Sequence, residues 1–341
     1  MIEEACRAAF APVARMVEAG LIPGAALGMT GPDGSTAVML AGRAAIVPAP
    51  EPLTRAHWFD LASLTKVIAT TTMILQLADR GRLDLDRPLT DAIPDLRQYD
   101  VDHAAERRLT FRDCLSHHTF LPAVAPIYTY GDDPARLRAF VLQREWRQGP
   151  QVYSDINFIL LGIAVERITG APLSAWPLPP GLAYGPPPGP AVATERCTWR
   201  GRVMQGEVHD ENAFALGGAA GHAGLFGTVD GVLGFAAGLL AGDILSPAMM
   251  AAIRTPRHGH RTCGWESAHP GWSGGAGCSP ATIGHTGFTG TGLWIDPERG
   301  LGWTLLTNRV HPSRHSAGAR AIHDLRPQVG EAVIAAWEAR A

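Results

Sequence analysis

The strand-forming patterns of this chain lie near its two ends, and the helical patterns fill the middle. Residues 24–30 and 35–41 form two β-type runs separated by the Gly31-Pro32-Asp33-Gly34 turn. A second pair, 292–296 and 302–307, is split by Asp296-Pro297-Glu298-Arg299-Gly300, the pattern of a hairpin. Between them helices are expected at 64–80, 109–117, 155–169, 230–241 and 246–254. The first stops at Gly81 and the third at Gly170, where glycine permits the left-handed turn that closes a helix. Helices at 2–19 and 317–339 bracket the chain, and the Pro/Gly-rich residues 171–200 read as a long irregular connection. This order implies an α+β architecture: an antiparallel sheet flanked by helices and built from both chain ends, with an inserted all-helical domain. The expected boundaries are 1–70 plus 230–341 for the sheet-bearing domain and 71–229 for the mainly helical insertion.

The composition supplies a core for such a fold. The 341 residues are 46% hydrophobic and 18% charged, which excludes disorder. A net charge of −3 gives no electrostatic reason to expect a nucleic-acid or acidic-membrane partner. The five cysteines are widely spaced without a C-x-x-C, which argues against a disulfide framework or a structural zinc site. The acidic start, MIEEACRAAF, reads as an amphipathic helix and not as a secretory signal, so a cytoplasmic location is expected. The longest apolar stretch, 231–242, has 12 residues and is too short to span a bilayer.

One residue count points to chemistry. Of the 29 basic residues, 28 are arginine and 1 is lysine, Lys66. Arginine is effectively never deprotonated, whereas a lysine amine responds to burial and to its neighbours. Position 66 therefore reads as a place that needs an amine able to exchange a proton. Ser63-Leu64-Thr65-Lys66 is an S-x-x-K at the start of an expected helix, which sets hydroxyl and amine on one face, a turn apart. A serine hydroxyl needs a base to become a nucleophile, and a helix N-terminus favours a developing oxyanion. Two further segments join it. Tyr153-Ser154-Asp155 precedes the apolar helix 155–169, as a proton carrier or as a simple cap. His285-Thr286-Gly287-Phe288 is a glycine-rich strand edge able to present a backbone N–H.

These three pieces, in this order and spacing, resemble the serine β-lactamase and penicillin-binding-protein superfamily, and most of all the class C β-lactamase-related serine hydrolases. That family carries S-x-x-K, then Y-x-N, then K-T-G or H-x-G. The likeness extends over 109–122, 153–170, 206–227 and 305–312. It implies a β-lactamase/transpeptidase-like fold with the active site in the cleft between the two domains. It further implies Ser63 as the acylated nucleophile, Lys66 as its proton partner and Tyr153 as the base. The oxyanion hole would be the backbone N–H groups of Ser63 and Phe288, and Asp155, His285, Thr286 and Gly287 would contact substrate. No cofactor or metal is implied, and the partner is a small ester, amide or peptide.

The chain departs from the family pattern at three places. Asp155 replaces the Y-x-N asparagine, which sets a carboxylate beside Lys66, favours the ammonium and shifts the base role toward Tyr153. His285 replaces the K-T-G lysine and weakens the grip on a substrate carboxylate, unless Arg309 reaches the cleft. The segment His118-Thr119-Phe120-Leu121-Pro122 differs from the usual H-T-S-G-L-P. A carboxylesterase or a D-aminopeptidase- or D-peptidase-like hydrolase is the expected activity. A β-lactamase or penicillin-binding carboxypeptidase is the alternative, and a non-catalytic binder of the same fold is the alternative of another class. Rival signals are weaker. Gly271-Trp272-Ser273-Gly274-Gly275 fits G-x-S-x-G but lacks the strand and helix of a nucleophile elbow. His209, Asn212 and the pair His117-His118 show no metal-ligand spacing, so His209 and Asn212 are read as supporting residues of the cleft wall.

Overall fold

The structure, a computed structural model, describes residues 1–339, so the last two positions of the expected sheet-bearing domain lie outside the described residues. A seven-stranded antiparallel sheet runs in the spatial order Glu51–Pro52, Thr36–Ala45, Gly24–Thr30, Leu301–Thr307, Gly292–Asp296, Ile283–Thr286, Glu266–Ser267. The two ends of the chain meet at its centre, where Gly24–Thr30 pairs with Leu301–Thr307 in the register Ala25↔Thr307 to Thr30↔Gly302. Both strands are buried along their whole length, because helices cover both faces of the sheet. Ile2–Ala9, Ala11–Glu18 and Gly318–Glu338 form one layer, over the stacked Trp294 and Trp303. Val229–Ala241 covers the other face and leads into the core of the intervening segment. At the centre of that core lies Asp155–Thr169, buried from Ile156 to Val165 and closed by Gly170 at φ +71°.

Three elements differ from their sequence patterns, each for a local reason. The N-terminal helix is two helices that meet at Phe10, because Pro12 has no amide to donate and suits the first turn of a new helix. The expected helix at 109–117 shortens to Phe111–Leu115, opened by a capping box between Thr110 and Asp113. The inserted segment is mainly helical but not all-helical. Its strands Leu225–Gly227 and Leu182–Tyr184 form a three-stranded sheet with the preceding Phe59–Asp60, and Ala193–Cys197 pairs with Arg202–Gln205. Prolines and glycines leave 171–200 a single 3-10 turn, Leu173–Ala175, and short extended pieces that pair instead. Among the described residues no helix is long and apolar enough to cross a membrane.

Candidate active site

Ser63 is set by a buried carboxylate. Asp60 accepts the N–H of Ala62 at 2.8 Å through one oxygen and that of His209 at 2.6 Å through the other. This holds Ala62 in the left-handed region at φ +47°, a conformation that non-glycine residues keep only when their surroundings enforce it. The hydroxyls of Thr289 and Thr291 donate to the carbonyls of Asp60 and Leu61, at 2.8 and 3.0 Å, and tie the 285–291 strand edge to the same turn. The approach is close enough to exclude a side chain at Gly287, where a Cβ would fall 2.6 Å from the Leu61 carbonyl oxygen. After Ser63 the helix widens, with Lys66–Thr71 in a π-helical stretch before the α-helical Thr72–Asp79. Such wide turns cluster at functional sites.

Lys66 is fully buried. Its Nζ donates to Ser63 Oγ at 2.9 Å and to the His222 carbonyl at 3.0 Å, and it pairs with Asp155 Oδ1 at 2.8 Å. Burial alone would push the amine down. The Asp155 carboxylate and the Tyr153 hydroxyl outweigh burial and hold Lys66 above the ordinary lysine range. At neutral pH it is an ammonium.

Tyr153 enters from the other wall. Its segment is pinned to the 117–123 loop by Ser154 N–H to His117 Nδ1 (3.0 Å), Ser154 Oγ to the Pro122 carbonyl (2.6 Å) and Asp155 N–H to the Ala123 carbonyl (2.8 Å). The ring packs against His117 at a tilt of 36°, centroids 4.4 Å apart, and its centroid lies 5.1 Å from Lys66 Nζ. Opposite it, His285 Nδ1 donates to the Thr286 carbonyl at 2.9 Å, which leaves Nε2 as a buried acceptor without a partner among the described residues. Burial, with Lys66 and Arg261 nearby, pushes His285 well below the ordinary histidine range, so it is neutral. The backbone N–H groups of Ser63 and Phe288 have no acceptor among the described residues.

These groups border one cavity of about 670 Å³. Ser63, Tyr153, Asp155, His285, Thr286, Gly287, Phe288 and His209 line it, as does Arg309, which sequence reasoning left open. Asn212 does not; it fastens the neighbouring loop through Ala125 and Tyr128. Sequence reasoning missed Arg261, Arg314 and Arg326, which also line the cavity, because nothing marks three arginines among 28. Arg326 is buried and donates to the carbonyls of Gly287 and Thr291, bracing the Phe288 turn, and burial pulls it down to about 9. A larger depression of about 1120 Å³ lies beside the Val229–Ala241 helix and holds none of these groups. Among the described residues no cluster of three or more His, Cys, Asp or Glu side chains is arranged to hold a metal.

Comparison with known proteins gives the family of the chain. The model of the beta-lactamase family matches residues 12–326. The chain belongs to the beta-lactamase family. The N-acetylmuramyl-L-alanine amidase of Bacillus subtilis (strain 168) is 31% identical over 303 residues, covering 74% of this chain and 68% of the relative. A putative D-alanyl-D-alanine carboxypeptidase of Escherichia coli (strain K12) is 29% identical over 303 residues, covering 74% and 69%. EstCE1, a hydrolase with promiscuous acyltransferase activity, superposes with a TM-score of 0.74 at 18% identity, covering 97% of this chain and 99% of its own, a likeness of fold. This beta-lactamase-family protein is accordingly a serine hydrolase with the α+β fold of that family.

Proposed function

We propose that the protein hydrolyses an amide or ester through an acyl-enzyme on Ser63, and that its substrate is a small peptide-like molecule bearing a carboxylate. The observation that carries this is the Lys66 ammonium, bonded to Ser63 Oγ at 2.9 Å and fixed in its charged form by Asp155 at 2.8 Å. A proton held on Lys66 leaves Tyr153 to take the one from serine. Ser63 Oγ attacks the carbonyl carbon as its proton passes to the Tyr153 oxygen. The oxyanion accepts from the N–H groups of Ser63 and Phe288. Tyr153 then returns the proton to the departing amine or alkoxide, and water repeats the sequence to free the acid.

The arginine wall supports the carboxylate. The expectation of a weak grip counted His285 and Asp155 against it and made Arg309 the exception; Arg309 does line the cavity, together with Arg261 and Arg326. Arginine pairs a carboxylate with two hydrogen bonds. The N-acetylmuramyl-L-alanine and D-alanyl-D-alanine units in the names of the Bacillus and Escherichia relatives each end in such a group. The test is labelling with a fluorophosphonate and peptide mapping, then kcat/KM for N-acetylmuramyl-L-alanine, D-alanine p-nitroanilide, nitrocefin and p-nitrophenyl acetate. The expected result is label on Ser63 and preference for the carboxylate-bearing amide. Label elsewhere overturns the mechanism, and preference for the neutral ester overturns the substrate class.

A further inference from the structure

Different groups meet the two ends of the Gly287–Phe288 peptide. Its N–H has no acceptor among the described residues and is one of the two donors open to an oxyanion on Ser63. Its carbonyl oxygen points the opposite way, as in any trans peptide, and accepts from Arg326 Nη2 at 2.7 Å. The same nitrogen donates to the Thr291 carbonyl at 2.8 Å. Arg326 comes from helix Gly318–Glu338, lines the cavity and is 5% exposed. A guanidinium buried this deeply ordinarily has an acid beside it, because an unpaired charge is costly to take out of water. Arg326 has none. No aspartate or glutamate pairs with it among the described residues, its Nε is buried without an acceptor, and the charge that bears on it is a second cation, Arg309. Burial and Arg309 pull Arg326 down to about 9, which leaves it charged at neutral pH.

Bracing the turn does not call for this charge. The turn is closed by its own backbone, with Gly287 N–H on the Thr291 carbonyl (2.9 Å) and Gly290 N–H on the Gly287 carbonyl (3.1 Å). The hydroxyls of Thr289 and Thr291 tie it to the Asp60 and Leu61 carbonyls as well. A neutral donor would serve such a turn equally. A cation on the carbonyl does more: it draws electron density through the amide and makes the N–H at the far end a stronger donor. Arg309 acts on the next peptide along, where its Nε donates to the Phe288 carbonyl at 2.7 Å, and the N–H of that peptide belongs to Thr289. We propose, resting on the acyl-enzyme at Ser63, that Arg326 is a positioning residue acting through the Gly287–Phe288 peptide: its charge aims and strengthens the Phe288 N–H as an oxyanion donor. The contribution grows only as charge develops on the substrate oxygen, so it belongs to kcat and not to KM.

The experiment uses two neutral probes that offer no carboxylate for an arginine to hold. One is the substrate p-nitrophenyl acetate; the other is a trifluoromethyl ketone, whose carbonyl oxygen becomes a tetrahedral oxyanion when Ser63 Oγ adds to the carbon. Acylation and deacylation both pass through such an oxyanion, so both slow together and KM stays. Arg326→Gln keeps a donor without the charge. It should lower kcat about tenfold, a fraction of the roughly 10²–10³ lost with a whole oxyanion donor, and weaken the ketone by the same factor with KM unchanged. Arg326→Lys should lose only about threefold in each, because the charge returns on a head of different shape. Urea midpoints show that each variant is folded. An unmoved kcat in folded Arg326→Gln, a raised KM with unmoved kcat, or equal losses in the glutamine and lysine variants overturns the proposal. If Arg326→Gln does not fold, the lysine variant decides: a loss shared by kcat and ketone affinity upholds the role, and no loss, or a loss in kcat alone, overturns it. Fluorophosphonate labelling separates this from the reading beneath it. Label away from Ser63 removes the acyl-enzyme, whereas a labelled Ser63 with an unmoved Arg326→Gln removes only the role of Arg326.

Discussion

Ser63 and Ser273 both sit in serine motifs of hydrolases, and the fold surrounds them differently. Ser63 follows a left-handed Ala62, opens a buried helix and accepts from the Lys66 ammonium at the edge of a cavity. Ser273 lies in the irregular loop between Glu266–Ser267 and Ile283–Thr286. Its hydroxyl accepts from the Trp294 indole N–H at 3.2 Å, in the layer beneath the terminal helices. One hydroxyl faces a charge and a space for substrate, and the other completes the bonding of a buried aromatic. A motif supplies the nucleophile's chemistry, and the surroundings decide whether it is used.

The largest effect that could break this contrast is on turnover. Ser63→Ala should abolish hydrolysis and covalent labelling, and Ser273→Ala should retain both. A labelled peptide containing Ser273 would reverse the assignment. Next in size, Lys66→Arg should be as damaging as Lys66→Ala, about 10²-fold or more in kcat, because either change removes the compact ammonium that positions Ser63 Oγ against Asp155. Arginine keeps a charge, but its flat head does not fit a fully buried pocket shaped around a compact ammonium. Substantial activity in the arginine variant would show that position 66 supplies charge alone.

A smaller effect comes from Asp155. In the native protein Lys66 sits above its ordinary value, so its ammonium, and the stability of its pair with Asp155, persist through neutral pH and fail only as pH rises through that raised value. Asp155→Asn removes the carboxylate and leaves burial, which drives the amine down. The alkaline limb of kcat/KM should therefore move to lower pH in Asp155→Asn. An unchanged limb would mean that Lys66 owes its charge to the His222 carbonyl and Tyr153 instead.

How much of this the residues disclose depends on whether a pattern is local. The sheet formed by both ends was legible because its strands are continuous apolar runs with turn residues between them. Lys66 was legible because every other basic residue is arginine, and Asp155 because it stands where the family carries asparagine. Arg261 and Arg326 were not, since they reach the cavity from a β-bridge at the sheet edge and from helix Gly318–Glu338, elements that only the tertiary fold brings there. The widened turn at Lys66–Thr71 and the packing of His117 against Tyr153 likewise leave no periodic trace.

The smallest effect is on stability, and it should run opposite to the effect on turnover. Trp294 is fully buried, and Ser273 Oγ is the acceptor for its indole N–H. Its stacked neighbour Trp303 has no partner for its own indole N–H among the described residues. Ser273→Ala would leave a second such donor in the same layer, at a cost of about 1–3 kcal/mol, toward the low end because Ser273 itself is half-buried and admits water. Ser63→Ala removes a hydroxyl from a turn already held by Asp60, Thr289 and Thr291, and should change stability little. Urea unfolding of the two variants reads this directly. Ser273→Ala should lower the midpoint, Ser273→Thr should recover part of the loss, and Ser63→Ala should unfold near the native midpoint while turning nothing over. If Ser273→Ala instead kept its midpoint and lost activity, the second serine would belong to the chemistry after all.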